Sequence, residues 1–136
     1  MNDPRMHEYL QQVSDAHPCG EDMAYSTLFD DIREARRADD SSLAQGAWEA
    51  DIKQANWPKV RELCDDALKT KSKDMQIANW YIEALTKLEG FAGFTHGLSV
   101  FNGLLTDYWE FCYPVFDPHD LDERAGKIEW LNANLP

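Results

Sequence analysis

The chain has 136 residues, of which 43% are hydrophobic and 12% aromatic, and its formal net charge is −12. This length and apolar content predict a single folded domain over residues 1–136 and argue against disorder. The negative charge excludes nucleic acid and anionic membrane surfaces as partners, because like charges repel. The acidic residues then form either a solvated exterior or a surface for a basic partner.

The cysteines and the first residues indicate where the protein works. The chain has three cysteines, Cys19, Cys64 and Cys112, and an odd number cannot all pair in disulfides within the chain. Because the last two fall on apolar helical faces, we interpret the cysteines as buried thiols of a reducing compartment. The chain starts without a signal-peptide pattern, and no apolar run approaches the ~20 residues of a membrane span. We therefore expect a cytoplasmic protein without direct membrane insertion.

Helix-start and helix-breaking residues organise the first part of the chain. A short helix is predicted over residues 3–13, because Asp3 is a good N-cap and a proline follows it. Pro18 and Gly20 interrupt any helix afterwards, so residues 14–25 are expected to form a loop.

A second helix is predicted from Thr27, which has capping spacing to Asp30. Residues 39–47 are expected to form an exposed internal linker after it. The predicted inner face of this helix consists of Leu28, Phe29, Ile32 and Ala35.

A third helix start is clear at Asn56, a good N-cap, because Trp57 and Pro58 follow where the missing proline N–H costs nothing. Its predicted inner face consists of Val60, Leu63, Cys64, Ala67 and Leu68.

The rest of the chain is organised around a helical hairpin predicted over residues 74–114. Asp74 caps its first helix, Gly90 and Gly93 shape the turn, and Pro114 ends its second helix. The inner stripe of the first helix is Ile77, Tyr81, Ala84 and Leu88. The stripe of the second is Phe94, Leu98, Phe101, Leu105, Tyr108 and Cys112, widened by Gly97, Leu104 and Phe111.

A last helix is predicted after Asp120, which forms an Asp version of the capping box with Glu123. Its predicted inner stripe is Leu121, Ala125, Ile128 and Leu131. No alternating run rich in Val, Ile and Thr predicts a strand. The expected fold is all-α, with about six helices packed as antiparallel helical hairpins and no sheet.

The sequence offers little support for an enzyme. His17 and Cys19 lie in one loop without a base, an orienting group or an oxyanion hole arranged around them. The cysteines and histidines lack CxxC or HExxH spacing, and the acids near Asp120 lack the calcium-loop pattern. We therefore expect no catalytic residue, no cofactor and no metal site.

Several short patches then occur in a recognisable order. They are residues 17–25, Trp57, Pro58 and Val60, residues 72–75, residues 90–94 with Gly97 and Leu98, Tyr108, Trp109, Pro114, Asp117, Asp120, Arg124 and Asn132. Together they closely resemble the ImpA-related N-terminal domain of TssA-type components of bacterial type VI secretion systems, over about residues 15–134. The family often has a histidine before the proline that matches Pro114, whereas this chain has Tyr113.

The resemblance implies a helical, non-enzymatic assembly domain. Its partners would be baseplate, membrane-complex, or tube and sheath proteins, with self-association left open. Family members usually continue into a variable C-terminal region, so the chain looks like the N-terminal part of a longer protein. The alternative function is a tetratricopeptide-like adaptor that binds peptides outside secretion, and a small hydrolase using Cys19 or the acidic loop is a third hypothesis.

The matching positions divide into two groups. Those with a structural interpretation are Trp57 and Trp109, expected to be core or groove anchors, together with Asp74, Gly90, Gly93, Pro114, and the i,i+4 pair of Asp120 and Arg124. The loop residues Pro18, Gly20, Glu21 and Asp22 are the hypothetical partner contacts. The other interpretation of this loop is that it caps the N-terminus of a helix.

Overall fold

The computed structural model describes residues 8–38 and 53–134. Four complete helices lie within these ranges and are numbered in chain order: α1 (Thr27–Arg36), α2 (Trp57–Thr70), α3 (Met75–Tyr108) and α4 (Asp122–Asn134). A helical turn at residues 8–10 precedes them. The described residues contain isolated β-bridges and no strand, so the all-α prediction is confirmed.

Residues 8–38 and 53–134 contain five helices when the turn at residues 8–10 is included, rather than about six. The difference arises because both arms of the predicted hairpin belong to α3. Gly90 alone separates the N-terminal arm (residues 75–89) from the C-terminal arm (residues 91–108), with φ 63° and ψ −138°. Glycine adopts this positive φ without the strain that a Cβ would cause.

The two arms of α3 fold back against each other as an antiparallel hairpin. A Cβ on Gly93 would lie 2.1 Å from the carbonyl oxygen of Leu85, and a Cβ on Gly97 would lie 3.0 Å from the Cα of Ile82. The arms therefore meet backbone to backbone at these two glycines. The predicted helical hairpin is confirmed.

The N-terminal arm of α3 forms the centre of the core, because each of its residues from 75 to 85 is buried. It packs against α2 and α4, and α1 packs against α2. The ring of Phe29 on α1 lies 5.0 Å from the ring of Trp80. Arg36 also joins α1 to this arm, since its Nε and Nη2 donate to the Glu83 carboxylate at 2.8 and 2.9 Å.

The inner faces of α1 and α2 agree with their predicted stripes. All four predicted residues of α1 are buried, and four of the five predicted residues of α2 are buried, with Leu63 half-buried. The Asn56 side chain accepts a hydrogen bond of 3.1 Å from the Lys59 amide, as expected for an N-cap. The N-cap of α1 is Ser26 instead of Thr27, and its side chain makes no capping bond.

Two predicted inner faces are wrong in part. In the C-terminal arm of α3, Leu98 is 40% exposed and Phe111, just beyond its end, is 70% exposed. The arm approaches the N-terminal arm through Gly93 and Gly97, and its buried residues are Gly93, Gly97, Val100, Phe101, Leu104 and Tyr108.

The predicted inner stripe of α4 is also wrong in part, and of its four residues only Leu131 is buried. Leu121 and Ile128 are 44% and 49% exposed, whereas Arg124 and Leu131 are buried. The helix is held to the core through polar groups, because Arg124 reaches carbonyl oxygens beyond α3 and the Asn79 side chain donates to the Lys127 carbonyl at 2.8 Å.

The first part of the helix predicted over residues 3–13 and the linker predicted over residues 39–47 lie outside the described residues. The helical turn ends at residue 10 rather than 13, and the Val13 amide donates to the Pro18 carbonyl at 2.8 Å. In the part of the chain that the structure describes, no helix has the length and apolar character needed to cross a membrane.

Candidate protein-interaction surface

The loop at residues 17–22 is fixed to the connection between α2 and α3. The Lys73 amide donates to the Cys19 carbonyl at 2.8 Å, and the Glu21 amide donates to the Lys71 carbonyl at 3.1 Å. Gly20 lies between these bonds with φ 73°, and a Cβ there would lie 2.0 Å from the Lys71 carbonyl oxygen. The loop can follow this path only with glycine at position 20.

The segment that follows α3 pairs with the other side of the same connection. The Tyr113 amide donates to the Lys73 carbonyl at 2.9 Å, and the Met75 amide donates to the Tyr113 carbonyl at 2.8 Å. The Tyr113 hydroxyl donates to the Gly20 carbonyl at 3.0 Å and so joins the two outer segments. We call residues 17–22, 71–75 and 112–114 together the three-segment junction.

The loop does not cap a helix in this arrangement. The Asp22 carboxylate accepts a hydrogen bond of 3.0 Å from the Ala24 amide and closes a turn within the loop. Tyr113, at the position where the family often has a histidine, supplies a hydroxyl donor to the loop instead. The position therefore has a polar contact in this chain.

Arg124 holds the third segment of the junction in place. Its Nε donates to the Pro114 carbonyl at 3.0 Å, its Nη2 donates to the Cys112 carbonyl at 2.6 Å, and its Nη1 donates to the Trp109 carbonyl. The residue is only 3% exposed. The predicted pair with Asp120 is wrong, because the guanidinium directs all three nitrogens to backbone carbonyls while Asp120 accepts from the Asp122 amide.

Trp109 was expected to be a core or groove anchor, but it is 40% exposed. The guanidinium carbon of Arg124 lies 4.9 Å from the centroid of its ring and 5.1 Å from that of Phe116. The two aromatic rings therefore cover a buried cation, a favourable cation–π arrangement. Trp57, the other predicted anchor, is half-buried at the edge of the core.

Two charged residues of the connection are buried. The Lys73 ammonium donates to the carbonyls of Tyr9 and Leu68 at 2.5 and 2.6 Å, and burial lowers its pKa to about 8. The Asp74 carboxylate caps α3 by accepting from the amides of Gln76 and Ile77. Burial nevertheless raises the pKa of Asp74 to about 6, because desolvation outweighs the capping hydrogen bonds.

Two open clefts flank the loop. The first has a volume of about 250 Å³ and the second about 240 Å³. The first, which we call the Phe111 cleft, is lined by Ala16, His17, Pro18, Cys19, Gly20, Phe111 and Tyr113. The second is lined by Val13, Ser14, His17, Gly20, Glu21, Met23, Thr70 and Lys71.

The four residues predicted to contact a partner have different environments at these clefts. Gly20 is buried and shapes the loop, Pro18 is half-buried in the wall of the Phe111 cleft, and Glu21 and Asp22 are exposed. The structure adds Phe111, which sequence reasoning placed on an inner face. Its apolar side chain gave no signal that it faces solvent.

The geometry defines a helical domain whose notable surface is an open, mostly apolar cleft beside acidic side chains. Within residues 8–38 and 53–134, no group of three or more His, Cys, Asp or Glu residues is placed to hold a metal ion. Pro18 lines this cleft beside the exposed ring of Phe111, so the cleft is a candidate for contact with a partner.

Comparison with known proteins identifies the family. The chain belongs to the family described as ImpA, N-terminal, type VI secretion system, whose profile matches residues 10–133. The chain is 31% identical over 131 residues to the type VI secretion system component TssA1 of Pseudomonas aeruginosa. This match covers 91% of the chain and 36% of the relative. The resemblance drawn from the ordered patches is confirmed.

A solved structure has the same fold. It is the N-terminal domain, including the conserved ImpA_N region, of the TssA component of the type VI secretion system from Burkholderia cenocepacia. The TM-score is 0.80 at 30% identity, and the match covers 98% of this chain and 48% of that one. The chain therefore spans about a third to a half of the length of these relatives.

Proposed function

We propose that the chain is a non-enzymatic interaction domain of a TssA-type component that works in the bacterial cytoplasm. It helps to assemble the type VI secretion machinery by contacting baseplate, membrane-complex, or tube and sheath proteins. The observation that carries this proposal is the three-segment junction. It holds Pro18 and two exposed carboxylates close to Phe111, in a chain that belongs to the ImpA N-terminal family.

The environment of the reactive side chains supports a non-enzymatic role. Cys19 is buried, and burial raises its pKa to about 11, whereas a nucleophilic cysteine has a lowered pKa. Lys73 and Arg124 donate to backbone carbonyls, and Asp74 caps a helix. These charged groups stabilise the fold and are not directed into either cleft.

The family match also favours secretion over the tetratricopeptide-like adaptor, because the profile covers residues 10–133 as one unit. A rigid junction suits an assembly domain, since a partner that binds a preformed surface loses less conformational entropy than one that must order a loop.

The test is a capture experiment with the chain immobilised in a lysate of secretion-competent cells, with bound proteins identified by mass spectrometry. We expect recovery of baseplate, sheath, tube or membrane-complex proteins, and loss of that recovery with Glu21→Lys combined with Asp22→Lys. The control is Asp31→Lys combined with Glu62→Lys, which makes the same charge change at exposed positions of α1 and α2. Absence of all secretion components from the wild-type capture, with the chain shown to be folded, would contradict the proposal.

A further inference from the structure

We propose that the Phe111 cleft binds a short peptide segment of a partner protein in which an apolar side chain lies next to lysine or arginine. This inference rests on the proposed function, because it gives the chemistry of the partner for the same surface.

The size and lining of the cleft indicate a single apolar side chain as the inserted group. Its volume is about 250 Å³, below the ~300–1,000 Å³ of pockets that hold small-molecule ligands. The lining is dominated by apolar groups, including Ala16, Pro18 and the ring of Phe111. An inserted side chain would cover Phe111, which is 70% exposed, and would remove apolar surface from water on both partners.

The walls of the cleft are held in place before any partner binds. Gly20 and Tyr113 both line it, and they are joined by the hydrogen bond from the Tyr113 hydroxyl. Cys19 forms part of the wall, and its carbonyl accepts from the Lys73 amide. Because these contacts belong to the three-segment junction, the cleft is preformed and binding does not have to order it.

The charges around the cleft select a basic peptide. Glu21 and Asp22 directly follow Gly20 and are exposed. Burial raises the pKa of the Tyr113 hydroxyl, and the negative charges of Asp22 and Glu21 raise it further, so both carboxylates act on the wall of the cleft. A lysine or arginine beside the inserted side chain would meet these charges.

Two buried cations, Lys73 and Arg124, oppose this field at the Cys19 wall of the cleft, whereas the carboxylates of Glu21 and Asp22 are the charges exposed at the surface. Lys73 and Arg124 are buried, and each donates to backbone carbonyls. Lys71 is exposed but lies 3.4 Å from the carboxylate of Asp66. An acidic peptide, a nucleic acid or an anionic membrane would therefore be repelled, whereas a basic segment would be attracted.

The experiment begins with selection of random short peptides, displayed on phage, against the immobilised chain. We expect the enriched sequences to share a large apolar residue adjacent to lysine or arginine. One enriched peptide is then synthesised with a fluorescent label, and its Kd is measured by fluorescence polarisation at two salt concentrations. Amide shifts in the NMR spectrum locate the site, with changes expected at residues 16–20 and 111–113.

Matched variants separate the apolar and the charged contributions. Phe111→Ala should weaken binding about tenfold or more, as expected for an aromatic hot spot. Glu21→Lys with Asp22→Lys should weaken binding by a similar factor and remove its salt dependence. The controls are Phe91→Ala, at a phenylalanine that is 82% exposed on the hairpin turn, and Asp31→Lys with Glu62→Lys, which should leave the Kd unchanged.

Failure of selection, enrichment of sequences without basic residues, or an unchanged Kd in Phe111→Ala would overturn the inference. The capture experiment distinguishes this failure from failure of the proposed function. Capture of secretion components without peptide binding would remove only the peptide inference. Peptide binding without capture of any secretion component would contradict the proposed function.

Discussion

The Tyr113 hydroxyl donates a hydrogen bond of 3.0 Å to the carbonyl oxygen of Gly20, a residue 93 positions earlier in the chain. Lys73 lies between the loop of Gly20 and the segment of Tyr113. Its amide donates to the Cys19 carbonyl, and its own carbonyl accepts from the Tyr113 amide. The loop, the connection before α3 and the end of the hairpin therefore form one unit. A change in any of the three segments should be detectable at the Phe111 cleft.

The first prediction concerns Tyr113→Phe, which removes only the hydroxyl group. We expect the free energy of unfolding to fall by about 0.5–1.5 kcal/mol, the usual net value of a hydrogen bond. Hydrogen exchange at the amides of residues 18–21 should become faster, because the loop loses one of its attachments. Tyr25→Phe is the control, since this fully exposed side chain should contribute little to either measurement. Unchanged exchange in Tyr113→Phe would show that the hydroxyl does not hold the loop.

The second prediction concerns Gly20→Ala. We expect the free energy of unfolding to fall by about 2–4 kcal/mol, because backbone strain and overpacking each cost roughly 1–3 kcal/mol. The new Cβ would lie 2.0 Å from the Lys71 carbonyl oxygen, in a residue with φ 73°. In Gly126→Ala no heavy atom lies within 4 Å of the new Cβ, and this change within α4 should stabilise the chain by about 0.5–1 kcal/mol. Urea denaturation gives the free energy of unfolding of both variants. An equal change in the two variants would contradict the path that the structure gives to the loop.

The third prediction concerns Arg124. Arg124→Ala should lower the free energy of unfolding by about 3–5 kcal/mol. Several carbonyls lose a charged donor, and each such hydrogen bond contributes roughly 1.5–3 kcal/mol. Arg124→Lys should recover only part of this loss, since one ammonium group cannot reproduce the planar arrangement of three donors. The measurement is urea denaturation followed by tryptophan fluorescence, which also reports on Trp109 above the guanidinium.

Arg61→Lys is the control for Arg124. Its guanidinium makes a surface ion pair of 3.9 Å with Glu89, and its side chain is 43% exposed. We expect this substitution to change stability by less than about 0.5 kcal/mol. A loss in Arg124→Lys as small as that in Arg61→Lys would show that the three carbonyl contacts contribute little.

The fourth prediction concerns pH and Asp74. Burial raises the pKa of this carboxyl to about 6, so the folded chain binds the proton more tightly than the unfolded chain does. The contribution of Asp74 to stability is therefore fully present below its unfolded pKa of about 3.9 and is lost as pH rises through 6. Asp74→Asn keeps a good N-cap and removes this titration.

The measurement is the free energy of unfolding of both proteins between pH 4 and pH 7. The wild-type chain should gain stability relative to Asp74→Asn as the pH falls. A relative loss of wild-type stability on acidification would mean that the capping hydrogen bonds outweigh the cost of burying the charge.

The local parts of the fold could be predicted from the sequence. Leu28 and Ile32 lie on the buried face of α1, and Asn56 caps α2, because these features depend on spacing and on residues a few positions apart. Gly90 was predictable as the hairpin turn for the same reason, since a positive φ within a helical pattern calls for glycine.

The arrangements that depend on distant parts of the chain could not be predicted. Arg124 contacts carbonyls 10 to 15 positions away, so a charged residue is buried where the sequence pattern placed Leu121 and Ile128, which are exposed. The buried ammonium of Lys73 is satisfied by carbonyls on two other segments, one of them at Tyr9. Hydrophobic spacing describes a face of a helix but not what packs against it.

Of the proposed interaction surface, the loop residues Pro18, Gly20, Glu21 and Asp22 could be proposed from the sequence, but Phe111 could not. Glu21 and Asp22 were identified because they match a family pattern and lie in a loop. Phe111 was missed because an apolar residue after an apolar helix is ordinarily buried, and only the structure shows it beside Pro18. The cleft depends on contact between residues 16–20 and 111–113, which no local pattern contains.

The most direct test of a role in assembly is a count of fluorescently labelled sheaths in cells whose chromosomal gene carries Glu21→Lys and Asp22→Lys. We predict a marked loss of extended sheaths at unchanged protein abundance, and normal numbers with Asp31→Lys and Glu62→Lys. Normal sheath numbers in the loop variant, with the protein stably produced, would contradict the assignment of this surface to assembly of the secretion machine.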